Sequence, residues 1–172
     1  MKRSLVLSIS FMLLVVLAQP ASSQSIRLSN YNGFTGEHDI ETSIVTLKNG
    51  FTNGFGVSLR SYGHNQYLSF IGYGSNNRAV GENDRLQFVQ QDGSIIKFDS
   101  RVQLPSNQTP VPNLYIHHYF ITRREVEALQ KTPVTSVRVV SAYSQTDIPV
   151  SKKMAKELVR LSEIFIKELD KF

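Results

Sequence analysis

The glycines of this chain are confined to one section, and this distribution constrains the fold more than any other feature. All ten lie between Gly33 and Gly93, and none follows. Three belong to Asn-Gly pairs, at 32–33, 49–50 and 53–54. Such pairs tolerate the positive φ that tight hairpin turns require. The glycine-rich section is therefore predicted to consist of short strands joined by tight turns.

The strands are indicated by alternation of apolar and polar residues. Residues 55–60 alternate between apolar and small or polar side chains, which predicts one buried and one solvent-facing side. Residues 67–73 carry apolar side chains on both faces, so both faces are expected to be at least partly covered. A turn at 91–94 between two short apolar runs predicts a hairpin. Further strands are predicted at 43–48, 114–121, 134–141 and 147–150.

Two helices are predicted in the C-terminal part. Thr122 and Glu125 have the spacing of a capping box, and a short helix should follow and end before Pro133. Ser151 caps a longer helix that runs to about residue 169. Its large apolar residues recur at three- and four-residue spacing, which gives one apolar side to lay on a sheet. They are Met154, Leu158, Leu161, Phe165 and Leu169.

These elements predict one α+β domain over residues 24–172. An antiparallel, strongly twisted sheet of seven or eight strands is covered by the C-terminal amphipathic helix. The alternative is a small closed β-barrel with that helix docked outside, since eight strands leave room for a small ligand inside. The proline-containing stretch at 105–113 is a possible internal boundary, but the flanking parts are too small to form separate domains.

The N-terminus predicts export. Lys2 and Arg3 precede an apolar stretch at 5–17, and Ala21 and Ser23 stand at −3 and −1 of a cut before residue 24. That order is typical of a secretory signal peptide at 1–23. The apolar stretch is shorter than the roughly 20 residues that span a bilayer as a helix. We therefore expect a periplasmic or extracellular protein with no membrane span after cleavage.

The absence of cysteine narrows the chemistry. With 0 cysteines, thiol catalysis, cysteine-ligated zinc and iron–sulfur clusters are excluded. An exported domain without disulfides must rely on its own core, and this favours a bacterial source over eukaryotic secretion. The net charge of +5 falls to +3 when Lys2 and Arg3 are removed, and the charges are interspersed. Nucleic acid is therefore not an expected partner.

Nothing in the sequence carries a catalytic or metal-binding constellation. No Gly-x-Ser-x-Gly elbow occurs, and Glu82 with Asp84 resembles an ordinary pair of turn acids. His38 lies among acids at 37–41, in a setting that predicts solvated side chains rather than a metal site. His117 and His118 are adjacent on a strand and point to opposite faces, so one is expected inside and the other exposed. No catalytic residue, metal or cofactor is predicted.

The remaining unusual feature of the sequence is the distribution of its aromatic residues. Tyr and Phe are concentrated in the glycine-rich section among Gly, Ser and Asn, a composition typical of adaptable binding surfaces. The alternative is that these rings fill the core. Leu68 and Phe70 are expected to face the core, which places Tyr67 and Tyr73 at a rim or outer surface, with Tyr62 extending the patch. The candidate binding residues are thus Tyr62, Tyr67 and Tyr73.

The sequence therefore favours an exported, non-enzymatic binding or interaction module whose partner is an unidentified protein or small molecule. Two alternatives stay open. One is a carrier of a small apolar ligand inside a β-barrel. The other is a hydrolase whose residues assemble only in space, with a histidine within reach of a serine and a carboxylate.

Overall fold

The computed structural model describes residues 25–48, 54–73, 85–98, 101–102, 114–140, 143 and 145–171. The predicted signal peptide with its cleavage point before Gln24, the acids Glu82 and Asp84, and the proline-containing stretch lie outside these residues.

The described residues form eleven strands and two helices. The strands are β1 (Ile26–Asn32), β2 (Glu37–Thr42), β3 (Val45–Lys48), β4 (Gly54–Tyr62), β5 (Asn65–Tyr73), β6 (Arg85–Gln90), β7 (Ile95–Phe98), β8 (Arg101–Val102), β9 (Leu114–Phe120), β10 (Val134–Val140) and β11 (Gln145–Pro149). The helices are α1 (Arg123–Lys131) and α2 (Lys152–Leu169).

The strands divide between two antiparallel sheets. The larger has the order β1-β2-β4-β5-β9-β8, with β3 also paired to β4, and the smaller has the order β11-β10-β6-β7. Every strand pair is antiparallel. The predicted class, an antiparallel α+β fold covered by the C-terminal helix, is confirmed, but the described strands number eleven and form two sheets rather than one sheet of seven or eight. The alternative barrel is wrong, because β1 and β8 end the larger sheet without pairing to each other in the part described.

Both helices begin as the sequence predicts. At α1, Thr122 and Glu125 form the reciprocal capping box, and at α2 the Ser151 hydroxyl accepts from the backbone N–H of Met154. Helix α2 lies against β2 and β3 of the larger sheet and β10 of the smaller one. Leu158 and Phe165 are among its buried residues, and each such side chain contributes roughly 1.5–3 kcal/mol of transfer free energy. None of the described helices has the length and apolar content needed to cross a membrane.

The centre of the larger sheet is the pair β4–β5, and it is buried on both sides. Leu68 and Phe70 face the core, as predicted. On the other side Ser58 lies opposite Ser69, and both are buried. The predicted solvent-facing side of β4 is therefore wrong over most of its length, and polar groups there must find partners inside the protein.

Gly72 of β5 has a steric role. It lies opposite Tyr115 of β9, and a Cβ placed on Gly72 would overlap the Cζ and hydroxyl of that ring. Tyr115 also packs against Phe70, with the ring centroids 6.5 Å apart. The missing side chain at Gly72 is what allows the tyrosine ring to come this close to the strand.

Candidate functional site

The three predicted tyrosines have different environments. Tyr62 ends β4 and is 51% exposed, whereas Tyr67 is only 4% exposed. The expectation that Tyr67 reaches the surface is wrong. Its ring packs against Phe120 of β9 with centroids 5.0 Å apart, and Phe120 is 46% exposed. The side chain of Tyr73 lies outside what the structure describes.

The physical reason is the register of β5 with β9. Phe120 pairs directly with Tyr67, so the two rings are cross-strand neighbours on the same face. That pairing joins residues more than fifty positions apart and cannot be read from local alternation. No local signal singled out Phe120, because His118 on the same face of β9 is buried while Phe120 is not.

Phe120 forms part of a cleft of about 490 Å³ at the end of the larger sheet. The turn between β4 and β5, strand β7, the end of β9 and the start of α1 meet there. We call it the sheet-end cleft. Its volume lies within the roughly 300–1,000 Å³ of small-molecule sites. Its lining residues are His64, Asn65, Gln66, Lys97, Phe120, Ile121, Thr122, Arg123 and Glu125.

Gln66 is the lining residue whose side chain carries an unpaired hydrogen-bond acceptor. Its backbone carbonyl accepts from the N–H of Ile121 at 3.0 Å, which ties the end of β9 to β5. Its side-chain carbonyl Oε1 is buried and has no hydrogen-bond partner. Leaving a buried acceptor unpaired costs about 1–3 kcal/mol. Because this oxygen has almost no accessible surface, it is a cost within the fold and not a contact point for a ligand.

Arg123 and Glu125, two of the charged residues of the cleft, already hydrogen-bond to other residues of the protein. Arg123 donates from Nε to Glu127 at 3.0 Å and from a terminal nitrogen to Asp170 at 2.7 Å, and these carboxylates raise the pKa of Arg123. Glu125 accepts from both the N–H and the hydroxyl of Thr122, each at 2.7 Å. Lys97 makes no ion pair with any described residue. The cleft thus offers one uncommitted cation among its described residues.

A second polar cluster is sealed inside the larger sheet. The Ser69 hydroxyl lies 2.8 Å from Nδ1 of His118, and the two residues are 1% and 9% exposed. Burial and the nearby charge of Arg60 lower the pKa of His118 to about 4, so the ring is neutral at neutral pH. His117 is also buried, so the expectation that one histidine of this pair is exposed is wrong.

A third cluster joins β1 and β2 to the end of α2. The Ser29 hydroxyl donates to Oε1 of Glu168 at 2.6 Å, and its oxygen lies 3.0 Å from Nε2 of His38. Glu168 also pairs with Lys171 at 2.6 Å. The ammonium group and the hydroxyl lower the pKa of this carboxyl. The sequence placed His38 among solvated acids, but it is buried on β2.

The order of groups in this third cluster differs from that of a serine hydrolase. In a catalytic triad the histidine stands between serine and carboxylate and accepts the hydroxyl proton. Here Ser29 stands between His38 and Glu168, and its proton points to the carboxylate. With the hydroxyl proton on the side of Glu168, Nε2 of His38 donates to the hydroxyl oxygen, and a base role for His38 would require that proton to turn towards the imidazole.

Metal ligands are not grouped in the part of the chain that the structure describes, where no three histidine, aspartate or glutamate side chains are placed to hold an ion. Comparisons with family models, with curated proteins and with solved structures find no match for the chain. Function must therefore be argued from the geometry of these clusters.

Proposed function

We propose that this protein is an exported, non-enzymatic binding module that takes its ligand or partner at the sheet-end cleft. The observation that carries the proposal is the half-exposed ring of Phe120 in a cleft whose other lining residues are mostly polar. Tyr62 pairs with Asn65, a lining residue, and so extends the same surface.

The setting of Phe120 supports a contact role. Its ring is held against the buried Tyr67 at the end of a strand, so little conformational freedom remains to be lost on binding. An aromatic side chain exposed on a rigid element is the type of residue that dominates binding energies. The polar lining favours a binding module over a carrier of apolar ligands, whose sites are mostly apolar.

A thermal-shift screen of the purified protein against a small-molecule library tests the proposal. A ligand present at 100 times its dissociation constant stabilises the folded state by about 2.7 kcal/mol. We expect a hit whose shift is lost in Phe120→Ala and kept in Phe34→Ala. Phe34 is a matched control, since it is a fully exposed phenylalanine in the β1–β2 turn and does not line the cleft. A screen without hits, or hits that Phe120→Ala retains, would contradict the proposal.

Export is tested separately by the mass of the protein recovered from outside the cytoplasm. We expect a mature chain that begins at Gln24. A recovered chain that still carries residues 5–17 would show that the predicted signal peptide is not removed.

The hydrolase alternative keeps one supporting observation, the contact of Ser29 with both His38 and Glu168. A fluorophosphonate probe that reacts with activated serines distinguishes it from the binding module. A binding module should not be labelled. Labelling of the wild type that Ser29→Ala abolishes would instead establish the hydrolase.

A further inference from the structure

We propose that the exposed side of α2 docks on an anionic phospholipid membrane. This surface is separate from the sheet-end cleft, because none of the residues that line the cleft lies on α2. The inference therefore goes beyond the binding function proposed above and can fail without it. Its partner is a membrane with negatively charged headgroups, such as those of phosphatidylglycerol.

The docking surface consists of the residues of α2 that are open to solvent, and all of them are charged. A helix turns by about 100° per residue, so they lie in a single strip along its outer side. We call this strip the α2 face. It contains five cations and one acid, namely Lys152, Lys153, Lys156, Arg160, Glu163 and Lys167.

The positive charge of the α2 face is unbalanced in its first half. The four cations from Lys152 to Arg160 make no ion pair with any described residue, although Glu157 and Glu163 lie close to them in the chain. Lys156 is four positions from Lys152 and four from Arg160, a spacing at which like charges destabilise a helix. The first turn also lacks an acid to offset the positive end of the helix dipole. These cations therefore cost the fold stability, and an external anionic surface relieves their repulsion.

The chemistry of the α2 face suits a broad anionic surface. Three of these four cations are lysines, whose ammonium groups are point charges on flexible stems. A single carboxylate or phosphate is recognised better by the planar fork of an arginine. Because the opposite side of α2 packs on the sheets, the α2 face is a convex strip, which matches an extended surface of charge.

Two apolar side chains favour lipid over other polyanions. Val159 and Ile164 lie on either side of the charged strip and are only partly buried. Side chains in such positions can enter the boundary between headgroups and acyl chains, while the lysines stay among the headgroup phosphates. Nucleic acid and acidic proteins offer negative charge without that boundary. The export proposed above also brings the mature chain to a membrane surface.

The test measures co-sedimentation of the mature chain with vesicles of phosphatidylglycerol and phosphatidylcholine in equal parts, beside vesicles of phosphatidylcholine alone. At about 0.01 M salt we expect binding to the anionic vesicles only. Raising the salt to about 0.15 M shortens the Debye length from about 30 Å to about 8 Å and should weaken binding at least tenfold. Binding to the neutral vesicles, or binding that salt leaves unchanged, overturns the proposal.

Two double variants with the same loss of charge locate the contact. Each cation close to an anionic membrane strengthens binding roughly fivefold. Lys152→Gln with Lys156→Gln should therefore weaken vesicle binding by roughly 25-fold, and it should melt no lower than the wild type. Lys48→Gln with Arg85→Gln should have little effect, because these exposed cations lie on strands.

The other outcomes overturn the membrane assignment in different ways. Equal weakening by both double variants would mean that net charge, and not the α2 face, governs binding. A short DNA duplex or polyglutamate that binds more tightly than the anionic vesicles would assign the α2 face to another polyanion. Neither result affects the sheet-end cleft, whose ligand screen depends on Phe120.

Discussion

The centre of the larger sheet and its β1 edge contain the same kinds of residue in opposite surroundings. At the centre, Leu68, Ser69 and His118 are buried. At the edge, Leu28 and Ser29 are exposed and only His38 is buried. Each region has a serine–histidine contact of about 3 Å. Residue type therefore says little about role here, and the surroundings decide whether a hydroxyl–imidazole contact only supports the fold or is open to chemistry.

The leucines should show the largest contrast. Leu68→Ala should lower the free energy of unfolding by about 2–5 kcal/mol, because it opens a cavity in a packed core. Leu28→Ala should change it by no more than about 0.5 kcal/mol, since its side chain is half in solvent. Urea unfolding of both variants measures the difference. Similar costs would mean that β1 is covered by another part of the protein or by a partner.

The buried histidine should make stability depend on pH. The pKa of His118 is lowered from 6.5 to about 4 in the folded protein. Between these values the unfolded chain binds a proton that the folded protein does not, so stability falls as the pH falls. The loss from pH 6.5 to pH 4 should reach roughly 3 kcal/mol.

Two variants measured across that pH range isolate this effect. His118→Gln should flatten the pH profile of the unfolding free energy, while His38→Gln at the edge should keep the slope that His118 causes. A profile for His118→Gln that is as steep as that of the wild type would show that the buried ring does not stay neutral.

Replacement of Ser69 and of Ser29 should change the free energy of unfolding by amounts that differ less than those of the two leucines. Ser69→Ala leaves Nδ1 of His118 buried without its partner and should cost about 1–3 kcal/mol. Ser29→Ala leaves Glu168 with Lys171 and should cost about 1 kcal/mol or less. Chemical unfolding at pH 7 gives both values. A higher cost at Ser29 would reverse the assignment of the structural role.

The smallest effect on the free energy of unfolding is expected for Glu168, at the end of α2. The lowered pKa of Glu168 means that its charge stabilises the fold above the unfolded value of 4.5 and ceases to do so as the pH falls through the lowered value. Glu168→Gln should therefore cost about 1 kcal/mol or less at pH 7, and this cost should shrink at pH 2. Thermal unfolding at the two pH values tests this. A difference that persists in acid would point to packing rather than charge.

Local patterns predicted much of the fold. The helix caps at Thr122 and Ser151 involve residues three apart in the chain, and both are found as expected. Strand alternation predicts that the side chains of Leu68 and Phe70 point into the core, and this is confirmed. Local periodicity determines such features, because each depends on neighbours within one turn or one strand.

Long-range pairing was the part that could not be predicted. The division into two sheets depends on β6 pairing with β10 rather than with β5. The burial of Tyr67 depends on Phe120, and the contact of Ser29 with Glu168 joins opposite ends of the chain. A single sequence holds no signal for such contacts, so the predicted aromatic surface included the buried Tyr67 beside Tyr62 and Tyr73 and left out Phe120.

The close contact between Gly72 and the ring of Tyr115 has a consequence for how this chain can evolve. Tyr115 can be replaced by a smaller residue while Gly72 stays, because the change only opens space above the strand. Alanine at position 72 fits without displacing a neighbour only after the large ring has gone. The two substitutions are thus accepted in one order and not the other, and divergent descendants of this chain should keep glycine at 72 wherever a tyrosine remains at 115.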